Sequence, residues 1–219
     1  MFIDRKEAGE RLLPRLQALD LDDVVVVALP RGGLPVADVV AEGLGAPLDI
    51  ALVRKVGVPS QPEYAVAAVT DGDDPRITVN KDVARMARLD DAAIRELAER
   101  ELPELRRRRE VYLKGRPPVP LAGKNVIVVD DGIATGATMR AALHLIRDEG
   151  PARLVAAVPV APRDTVEEMR RECDEVICLE TPDFFQAVGL HYRDFRQVTD
   201  AEVATILHRH ATQNHAAPE

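Results

Sequence analysis

Short apolar runs recur along the chain and predict the strands of one buried sheet. Each run is rich in β-branched residues and is bounded by charged or turn-forming positions. Continuous apolar runs of this kind are typical of strands that are buried on both faces, as in a parallel sheet. The predicted strands are Val24 to Leu29, Leu48 to Val53, Asn125 to Val129, Leu154 to Val160 and Glu175 to Leu179.

Apolar positions between these runs change to the spacing of a helix. Asp4 can cap a first helix, which Pro14 must bend or interrupt, and the apolar stripe of that helix consists of Ala8, Leu12, Leu16 and Leu19. A second stripe, ended by Gly150 and Pro151, consists of Met139, Ala142, Leu143 and Ile146. Three of the gaps between strands can hold crossover helices. The chain therefore predicts an α/β fold with a doubly wound parallel sheet.

Two segments depart from this alternation. Residues 57–79 hold three prolines and two strand-like pieces, which predict a mobile loop at residues 57–63 followed by a hairpin. Residues 80–114 are helical in pattern and heavily charged, with Asn80 and Asp90 or Asp91 as caps, and Pro103 is expected to kink or divide the second helix. The cluster Arg106 to Arg109 favours a solvated helix face over a phosphate contact or a dimer seam.

Length and composition favour one domain with an elaboration over two full domains. A chain of 219 residues with 46% hydrophobic content can bury a sizeable core. We therefore expect a single domain over residues 1–219, with a core at about 20–180, a helical insertion at about 80–114 and a small C-terminal hood at about 180–210.

Charge and cysteine content limit the ligands and the cellular compartment that we expect for the protein. The net charge of -8 argues against a general affinity for nucleic acid, although backbone N–H groups can still hold a small anion. The two cysteines match neither a disulfide framework nor a zinc ribbon, so a reducing cytosol is expected. An apolar signal region and a membrane-spanning run are both absent from the sequence pattern, and we expect a cytoplasmic protein without a membrane partner.

The main candidate site is the stretch VIVVDDGIATGAT, Val126 to Thr138, which joins a predicted strand to a predicted helix. Ligands of open α/β sheets bind at the carboxyl ends of the strands, and a helix N-terminus offers unpaired N–H groups to an anion. Gly132 and Gly136 allow a close turn around a phosphate, while Thr135 and Thr138 add hydroxyl donors. The loop is not a Walker A motif, because the terminal Gly-Lys-Ser/Thr is missing.

Asp130 and Asp131 stand at the strand end, directly before this phosphate cradle. Carboxylates beside a phosphate would repel it unless they have another ligand. They could accept hydrogen bonds from a sugar diol or help to hold Mg²⁺ through waters. Ribose 5-phosphate satisfies both the acids and the cradle.

A second anion loop, Arg31-Gly32-Gly33, follows the first predicted strand and precedes a short helix that Pro35 can open at its first position. A Gly-Gly turn is usually only a turn, but two such loops at adjacent strand ends are more informative. Arg54 and Lys55 follow the second strand and could neutralise a pyrophosphate, because an arginine can grip two oxygens at once.

These motifs resemble those of the type I phosphoribosyltransferases. VIVVDDGIATGAT looks like the family's motif for 5-phosphoribosyl-1-pyrophosphate (PRPP), PRGG is similar to its pyrophosphate loop, and RKVG to the start of its flexible catalytic loop. The resemblance covers Val24 to about Leu179, and the whole chain also looks like a bacterial branch of predicted phosphoribosyltransferases. It implies transfer of a 5-phosphoribosyl group between PRPP and a nitrogenous base in nucleotide salvage, with Mg²⁺ as cofactor and a homodimer as the expected assembly.

The resemblance also implies roles for individual residues. Asp130 and Asp131 would bind the ribose hydroxyls and Mg²⁺, and the 5-phosphate would be held by Ile133, Ala134, Thr135, Gly136, Ala137 and Thr138. The pyrophosphate would meet Arg31, Gly32 and Gly33, with Arg54 and Lys55 as further catalytic cations. Since the pyrophosphate loop of the family commonly contains a non-proline cis peptide bond, the bond between Pro30 and Arg31 is a candidate.

The acceptor base is less defined. Where 6-oxopurine transferases carry an Asp before the Thr-Gly pair, this chain has Ala134, as adenine and orotate enzymes of the family do, which disfavours hypoxanthine and guanine. The hood would bind the base, and its four aromatic residues could either stack on a planar ring or form the core of a small lid: Phe184, Phe185, Tyr192 and Phe195. The histidines show no zinc-type pairing with carboxylates and are expected to be structural or on the surface.

Two functions from different classes remain open. One is an enzyme, and the other is a regulator that binds PRPP as a signal without turnover. Retention of the RGG loop and of Arg54 and Lys55 favours catalysis, because a sensor has less use for leaving-group chemistry.

Overall fold

Strands and helices alternate along the chain in the computed structural model, which describes residues 1–59, 61–70 and 75–214. The helices are α1 (Arg5–Gln17), α2 (Gly33–Leu44), α3 (Lys81–Ala87), α4 (Asp91–Glu99), α5 (Leu102–Leu113), α6 (Ala137–Asp148), α7 (Arg163–Met169) and α8 (Asp200–Asn214). The strands are β1 (Val24–Ala28), β2 (Leu48–Ile50), β3 (Val53–Val58), β4 (Gln61–Thr70), β5 (Ile77–Val79), β6 (Asn125–Val129), β7 (Arg153–Val160) and β8 (Glu175–Glu180). A 3-10 turn covers Val188–His191.

Five of these strands form the central sheet, in the order β2-β1-β6-β7-β8. Every neighbouring pair is parallel, and the register places Val26 of β1 opposite Leu48 of β2 and Ile127 of β6. The inner strands β1, β6 and β7 are buried along almost their whole length, which their continuous apolar sequences require. The predicted doubly wound parallel sheet is confirmed.

Alternate residues of the inner strands enter two different hydrophobic cores. Val26 and Ile127 pack in a core with residues of α1, α2 and α8, whereas Val25 and Val126 pack in a core with residues of α6 and α7. Side chains of a strand point to opposite faces in turn, so the sheet is covered by helices on both sides. The carboxyl ends of β1 and β6 therefore lie side by side at one edge, beyond both cores.

The segment around residues 57–79 is mostly strand, and the predicted loop at residues 57–63 is wrong in its extent. A second sheet, in the order β3-β4-β5, is antiparallel, with Val56 opposite Ala67 and Val58 opposite Gln61. Val56 and Val58 are buried, which explains why the chain stays in strand up to residue 58. A register shift at Gly57 bends the hairpin, and only the turn after Val58 remains of the loop, with Ser60 outside the described residues.

The predicted second strand also changes. The apolar run from Leu48 ends as β2 at Ile50, and Val53 begins β3 of the antiparallel sheet. Ala51 still donates its N–H to the carbonyl of Ala28 at 3.0 Å, so the chain leaves the parallel sheet only after that bond. Arg54 and Lys55 therefore lie within β3 and not at a loop entrance.

Three helices fill residues 81–113, as the charged helical pattern predicts. Asn80 accepts hydrogen bonds from the N–H groups of Asp82 and Val83, and Asp90 accepts one from Ala93, so both are caps and Asp91 is not. Pro103 stands in the first turn of α5 and separates it from α4. The buried residues of these helices join the same core as β3 and β4, and they include Ile94, Ala98, Leu105 and Tyr112. The helical segment is therefore packed against the hairpin.

Two prolines differ from expectation. Pro14 lies inside α1, which continues to Gln17, so it does not interrupt the helix, although it removes one intrahelical donor. Pro35 is the third residue of α2, since the helix already begins at Gly33. Over the described ranges, no helix is both long and apolar enough to cross a membrane.

Burial of the helical segment can be tested at Ile94, which is 1% exposed. Ile94→Ala should lower the free energy of unfolding by about 3 kcal/mol, because it removes buried methyl groups and leaves a cavity. Met86→Ala is the control, since Met86 is 75% exposed on α3, and it should change stability by less than about 0.5 kcal/mol. Urea denaturation measures both values, and equal effects would contradict the docking of α4.

Candidate functional site

The two predicted anion loops meet at the carboxyl edge of the central sheet. Asp130 and Asp131 follow β6, and the Arg31-Gly32-Gly33 loop follows the neighbouring strand β1. A Cβ atom on Gly32 would lie 2.1 Å from an Asp131 carboxylate oxygen, and one on Gly33 would lie 2.6 Å from the Val129 carbonyl oxygen. Only glycine leaves room for this approach, so the first loop packs directly on the acid pair. The peptide bond between Pro30 and Arg31 is cis, as the resemblance implies.

The loop from Asp131 to Gly136 turns into the N-terminus of α6. Ile133 is buried and donates its N–H to the Val160 carbonyl at 3.0 Å, while the Thr165 hydroxyl donates to the Ala134 carbonyl at 2.9 Å. Gly136 has φ +74°, a left-handed conformation that favours glycine. The loop is held from below by β7 and α7, and Ala134 and Thr135 are exposed. The first-turn N–H groups of α6 lack intrahelical acceptors, so they could donate to an anion.

Burial controls the charge state of the acid pair. Burial, and then the neighbouring charge of Asp131, raises the pKa of Asp130 well above its ordinary range. Burial also raises the pKa of Asp131, against the opposing effect of Arg5. The Asp131 N–H donates to Asp130 Oδ1 at 2.8 Å, which holds the Asp130 side chain against the Asp131 backbone. A pair of close, buried carboxylates is stabilised by a cation or by hydroxyl donors, so its oxygens suit Mg²⁺ or a sugar diol.

Two residues outside the predicted motifs contact this pair. Arg5, the first residue of α1, donates from Nε to Asp131 Oδ2 at 2.8 Å, and the Tyr192 hydroxyl donates to the Asp131 carbonyl oxygen at 2.6 Å. Burial raises the pKa of Tyr192, so its hydroxyl keeps its proton and remains a donor. Arg5 shares the buried face of α1 with Ala8, Leu12 and Leu16. A charge on that apolar stripe was the available sequence signal for Arg5.

The predicted catalytic cations are not gathered around the acid pair. Arg31 lines a cleft of about 320 Å³ together with Arg5, Gly32, Asp131, Phe195, Gln197 and Val198. Arg54 donates from Nε to Glu101 Oε2 at 2.5 Å, between α4 and α5. Lys55 lies on β3, opposite Ala68 of β4. Among the described residues, the structure therefore brings Arg31 next to the acid pair and holds Arg54 by the helical segment.

Arg31 is connected to the helical segment through Asp200 at the start of α8. Arg31 Nη1 lies 3.6 Å from Asp200 Oδ1, to which the Tyr112 hydroxyl donates at 2.6 Å. Arg107 of α5 donates to Asp200 Oδ2 at 2.9 Å. The hydrogen bond from Tyr112, together with Arg107, lowers the pKa of Asp200. Arg107 is exposed, as a solvated helix face requires, yet it pairs with the same carboxylate that lies near Arg31.

The aromatic residues of the hood form mostly a small core. Tyr192 is 5% exposed and its ring lies 5.3 Å from that of Phe2 and 5.0 Å from that of Phe195. Phe185 packs against the same cluster, whereas Phe184 is 92% exposed. The small-core alternative therefore describes Phe185, Tyr192 and Phe195. Phe184 differs, because its ring is exposed to solvent.

A carboxylate and histidine cluster lies between α2 and α8. Its members, Asp38, Glu42 and His210, have potential metal-ligand atoms within 4.8 Å of one another. Arg209 donates to both carboxylates, and His210 Nε2 lies 2.7 Å from Asp38 Oδ1. The Arg209 guanidinium offsets part of the negative charge, and these bonds dock α8 on α2. His210 is therefore structural, as expected, and His215 lies outside the described residues.

Comparisons with known proteins agree with this geometry. A model of the phosphoribosyl transferase domain family matches residues 6–194. A Mycobacterium tuberculosis protein that carries a provisional phosphoribosyl transferase name is 48% identical over 209 residues, which cover 95% of this chain and 47% of that protein. The chain thus spans about half the length of the curated relatives it matches.

Two further relatives are a solved structure with a similar fold and a protein that is similar over part of the chain. The crystal structure of TT1426 from Thermus thermophilus superposes with a TM-score of 0.83 at 45% identity, and the match covers 94% of this chain and 97% of that one. The bifunctional protein PyrR of Chloroflexus aurantiacus is 37% identical over 131 residues, which cover 58% of this chain and 65% of PyrR.

The contact of Tyr192 with the acid pair can be tested by removing one hydroxyl. Tyr192→Phe should lower the free energy of unfolding by about 1–2 kcal/mol, because the buried Asp131 carbonyl loses its donor. Tyr64→Phe is the matched control, since Tyr64 is 59% exposed, and it should have almost no effect. Chemical denaturation compares the two variants, and indistinguishable values would show that the Tyr192 hydroxyl does not support Asp131.

Proposed function

The chain belongs to the phosphoribosyl transferase domain family, and from this premise we propose that it transfers a 5-phosphoribosyl group from PRPP to a nitrogenous base. The family model matches most of the chain, residues 6–194. The observation that carries the proposal is the contact of the Gly32 and Gly33 loop with the Asp130 and Asp131 pair. Because the chain spans about half of its curated relatives, the proposed activity is that of this segment.

The acid pair is proposed to bind the ribose and Mg²⁺. Its donor set consists of two carboxylates at a strand end, Asp131 buried and Asp130 half-buried, beside a helix N-terminus that suits a phosphate. Mg²⁺ prefers oxygen ligands and usually keeps several waters, so Asp130 and Asp131 fit it. When bound, the ion would supply charge stabilisation for the pyrophosphate oxygens. The ribose hydroxyls would donate to the same carboxylates.

The 5-phosphate is proposed to lie in the loop that begins α6. The backbone N–H groups at the start of α6 would donate to it, with the hydroxyls of Thr135 and Thr138 as further donors. The exposure of Ala134 and Thr135 keeps the loop open to a ligand from solvent. The residues of this cradle are Ile133, Ala134, Thr135, Gly136, Ala137 and Thr138.

Catalysis is proposed to rest on positioning and charge. The implied transition state is oxocarbenium-like at the anomeric carbon, by analogy with glycoside hydrolysis, and requires no side-chain nucleophile. Negative charge builds on the departing pyrophosphate and would be stabilised by Arg31, by Lys55 and by the backbone N–H of Gly32, since the Gly33 N–H already donates to the Leu29 carbonyl at 3.0 Å. Arg54 would contribute after leaving Glu101, with which it pairs in this structure.

The base is proposed to bind under the C-terminal hood. Phe184 offers the exposed ring for stacking, since the other hood aromatics pack on one another. Ala134 stands where an acid would assist a 6-oxopurine, so adenine and pyrimidines are preferred over hypoxanthine and guanine. Transfer to a preformed base would place the protein in nucleotide salvage.

A PRPP-binding regulator is the rival function. The partial similarity to a bifunctional protein allows more than one role in the family. The cationic loop residue Arg31 beside the acid pair favours turnover, because a sensor needs only ground-state binding.

The first test of the function is binding. Changing both Asp130 and Asp131 to Asn should weaken Mg²⁺-PRPP binding at least about tenfold, because the charged acceptors for the ribose and the metal are removed. Asp20 and Asp22 changed to Asn are the matched control, since both are exposed and precede β1 at the opposite edge of the sheet. Titration calorimetry compares the pairs, and an unchanged PRPP affinity in the Asp130 and Asp131 variant refutes the proposed role.

The second test separates the enzyme from the regulator. With Mg²⁺ and PRPP present, some member of a panel led by adenine and pyrimidines should cause stoichiometric release of pyrophosphate. Lys55→Ala should slow this release by roughly a hundredfold, because a lost contact to developing charge costs about 3 kcal/mol of barrier. Lys114→Ala, an exposed lysine after α5, is the control.

The results with the panel of bases distinguish the regulator from the transferase and test the preference for the base. Tight PRPP binding without pyrophosphate release from any base would establish the regulator instead of the transferase. Hypoxanthine or guanine as the best acceptor would refute the inference from Ala134 and leave the reaction class intact.

A further inference from the structure

Arg5 makes more contacts at the acid pair than any residue outside the motif loops that the structure describes. Its Nε and Nη2 both lie 2.8 Å from Asp131 Oδ2, and its Nη1 donates to the Arg196 carbonyl at 2.8 Å. The guanidinium carbon also lies 3.9 Å from the centre of the Phe195 ring. Both the edge and the face of the guanidinium are therefore in use.

The backbone on each side of Arg5 is fixed by other elements. Phe2 donates its N–H to the His191 carbonyl at 2.7 Å, and the Asp194 N–H donates to the Ile3 carbonyl at 2.9 Å. Asp4 then caps α1 by accepting from the Glu7 N–H at 2.8 Å. The N-terminal residues thus run along the hood, and α1 begins at the point from which Arg5 reaches Asp131.

Burial restricts the geometry of the ion pair between Arg5 and Asp131. The Arg5 and Asp131 side chains are only 10% and 13% exposed. Hydrogen bonds between charged groups in such surroundings hold their geometry, because no water can replace them without cost. Since Arg5 occupies Oδ2 and Gly32 approaches the same oxygen, the rotation of the Asp131 carboxylate is fixed.

We propose that Arg5 is a positioning residue that orients Asp131 for the ribose hydroxyls and connects this carboxylate to the base-binding hood. The inference rests on the proposed function, in which Asp131 binds ribose. Its contacts with Arg196 and Phe195 belong to the hood, so the hood and the ribose site share one guanidinium. Arg5 lines the same cleft as Arg31 and Gly32, but each of its guanidinium nitrogens already contacts Asp131 or the Arg196 carbonyl, so it acts on the ligand through Asp131.

This last point separates positioning from a general role in stability. Loss of one partner from a buried ion pair destabilises a protein whatever its function, so stability alone decides nothing. A positioning role predicts loss of affinity for ligands with a ribose and none for a ligand without it. The ratio of the two affinities is the quantity to measure.

The experiment uses Arg5→Met, which keeps an unbranched apolar stem and removes the charge and the donors of the guanidinium. Titration calorimetry measures binding of Mg²⁺-PRPP, ribose 5-phosphate and metal-free pyrophosphate to the folded protein, because a Mg²⁺ ion on the pyrophosphate would itself depend on Asp131. Binding of PRPP and ribose 5-phosphate should weaken about tenfold, the loss expected for hydrogen bonds to a charged group, while pyrophosphate affinity stays within about twofold.

Arg11→Met is the matched control. Arg11 lies on the same helix, stacks 4.4 Å from the Phe2 ring and pairs with Glu180, but it does not contact Asp131. Its loss should leave all three affinities unchanged. If Arg5→Met does not fold, Arg5→Lys decides by the same ratio, because one ammonium group cannot hold both Asp131 and the Arg196 carbonyl.

The possible results are separable from those for the function itself. Wild-type protein that binds no Mg²⁺-PRPP overturns the proposed function and the inference with it. Wild-type binding together with an equal loss for all three ligands, or with no loss, overturns the positioning role of Arg5 alone. A loss confined to PRPP and ribose 5-phosphate supports it.

Discussion

The close approach of a glycine loop to a buried acid pair is the constraint on which the rest of the structure depends. Gly32 and Gly33 lie so near Asp131 and Val129 that a methyl group at either position would collide with them. This approach requires β1 and β6 to be adjacent and parallel, because only then do their following loops leave the same edge of the sheet. The continuous apolar sequences of the inner strands supply that arrangement, since they can be buried only between two layers of helices.

Carboxylates that are removed from water at this edge need hydrogen-bond or charge partners. The partners come from the start of α1 and from the hood. Desolvation of Asp130 and Asp131 favours their neutral forms, whereas ligand binding through oxygen lone pairs needs them charged. Arg5 offsets part of this effect at Asp131, and Tyr192 donates to the backbone of the same residue. The N-terminal residues and the hood thus pack together for an electrostatic reason as well as an apolar one.

Local sequence patterns predict the sheet and the two loops. They do not predict contacts between residues that are far apart in the chain. The five apolar runs and the Gly-containing loops are read within a few residues, where periodicity and backbone chemistry act. Arg5 and Asp131 are 126 residues apart, and nothing near Arg5 specifies its partner. The run from Leu48 to Val53 was read as one strand, because its division between two sheets depends on β4, which arrives later in the chain. The sequence leaves two alternatives for Tyr192, stacking on a base or packing in a small core. The contact with the Phe2 ring favours packing, and it forms only in the folded chain.

The proposed function requires an acidic chain to hold a phosphorylated ligand, and backbone N–H groups of the two loops can supply donors that do not depend on the net charge. Arg54 pairs with Glu101, and Arg31 lies near Asp200, which Arg107 already neutralises. Such pairing leaves little positive field at a distance, in keeping with a net charge of -8. Backbone N–H groups at the start of α6 and in the glycine loop act only at close range, so they select a ligand by its shape and not by attraction from afar. Under the proposed function, a ligand that contacts both loops would carry an anionic group for each of them and hydroxyls for the acid pair.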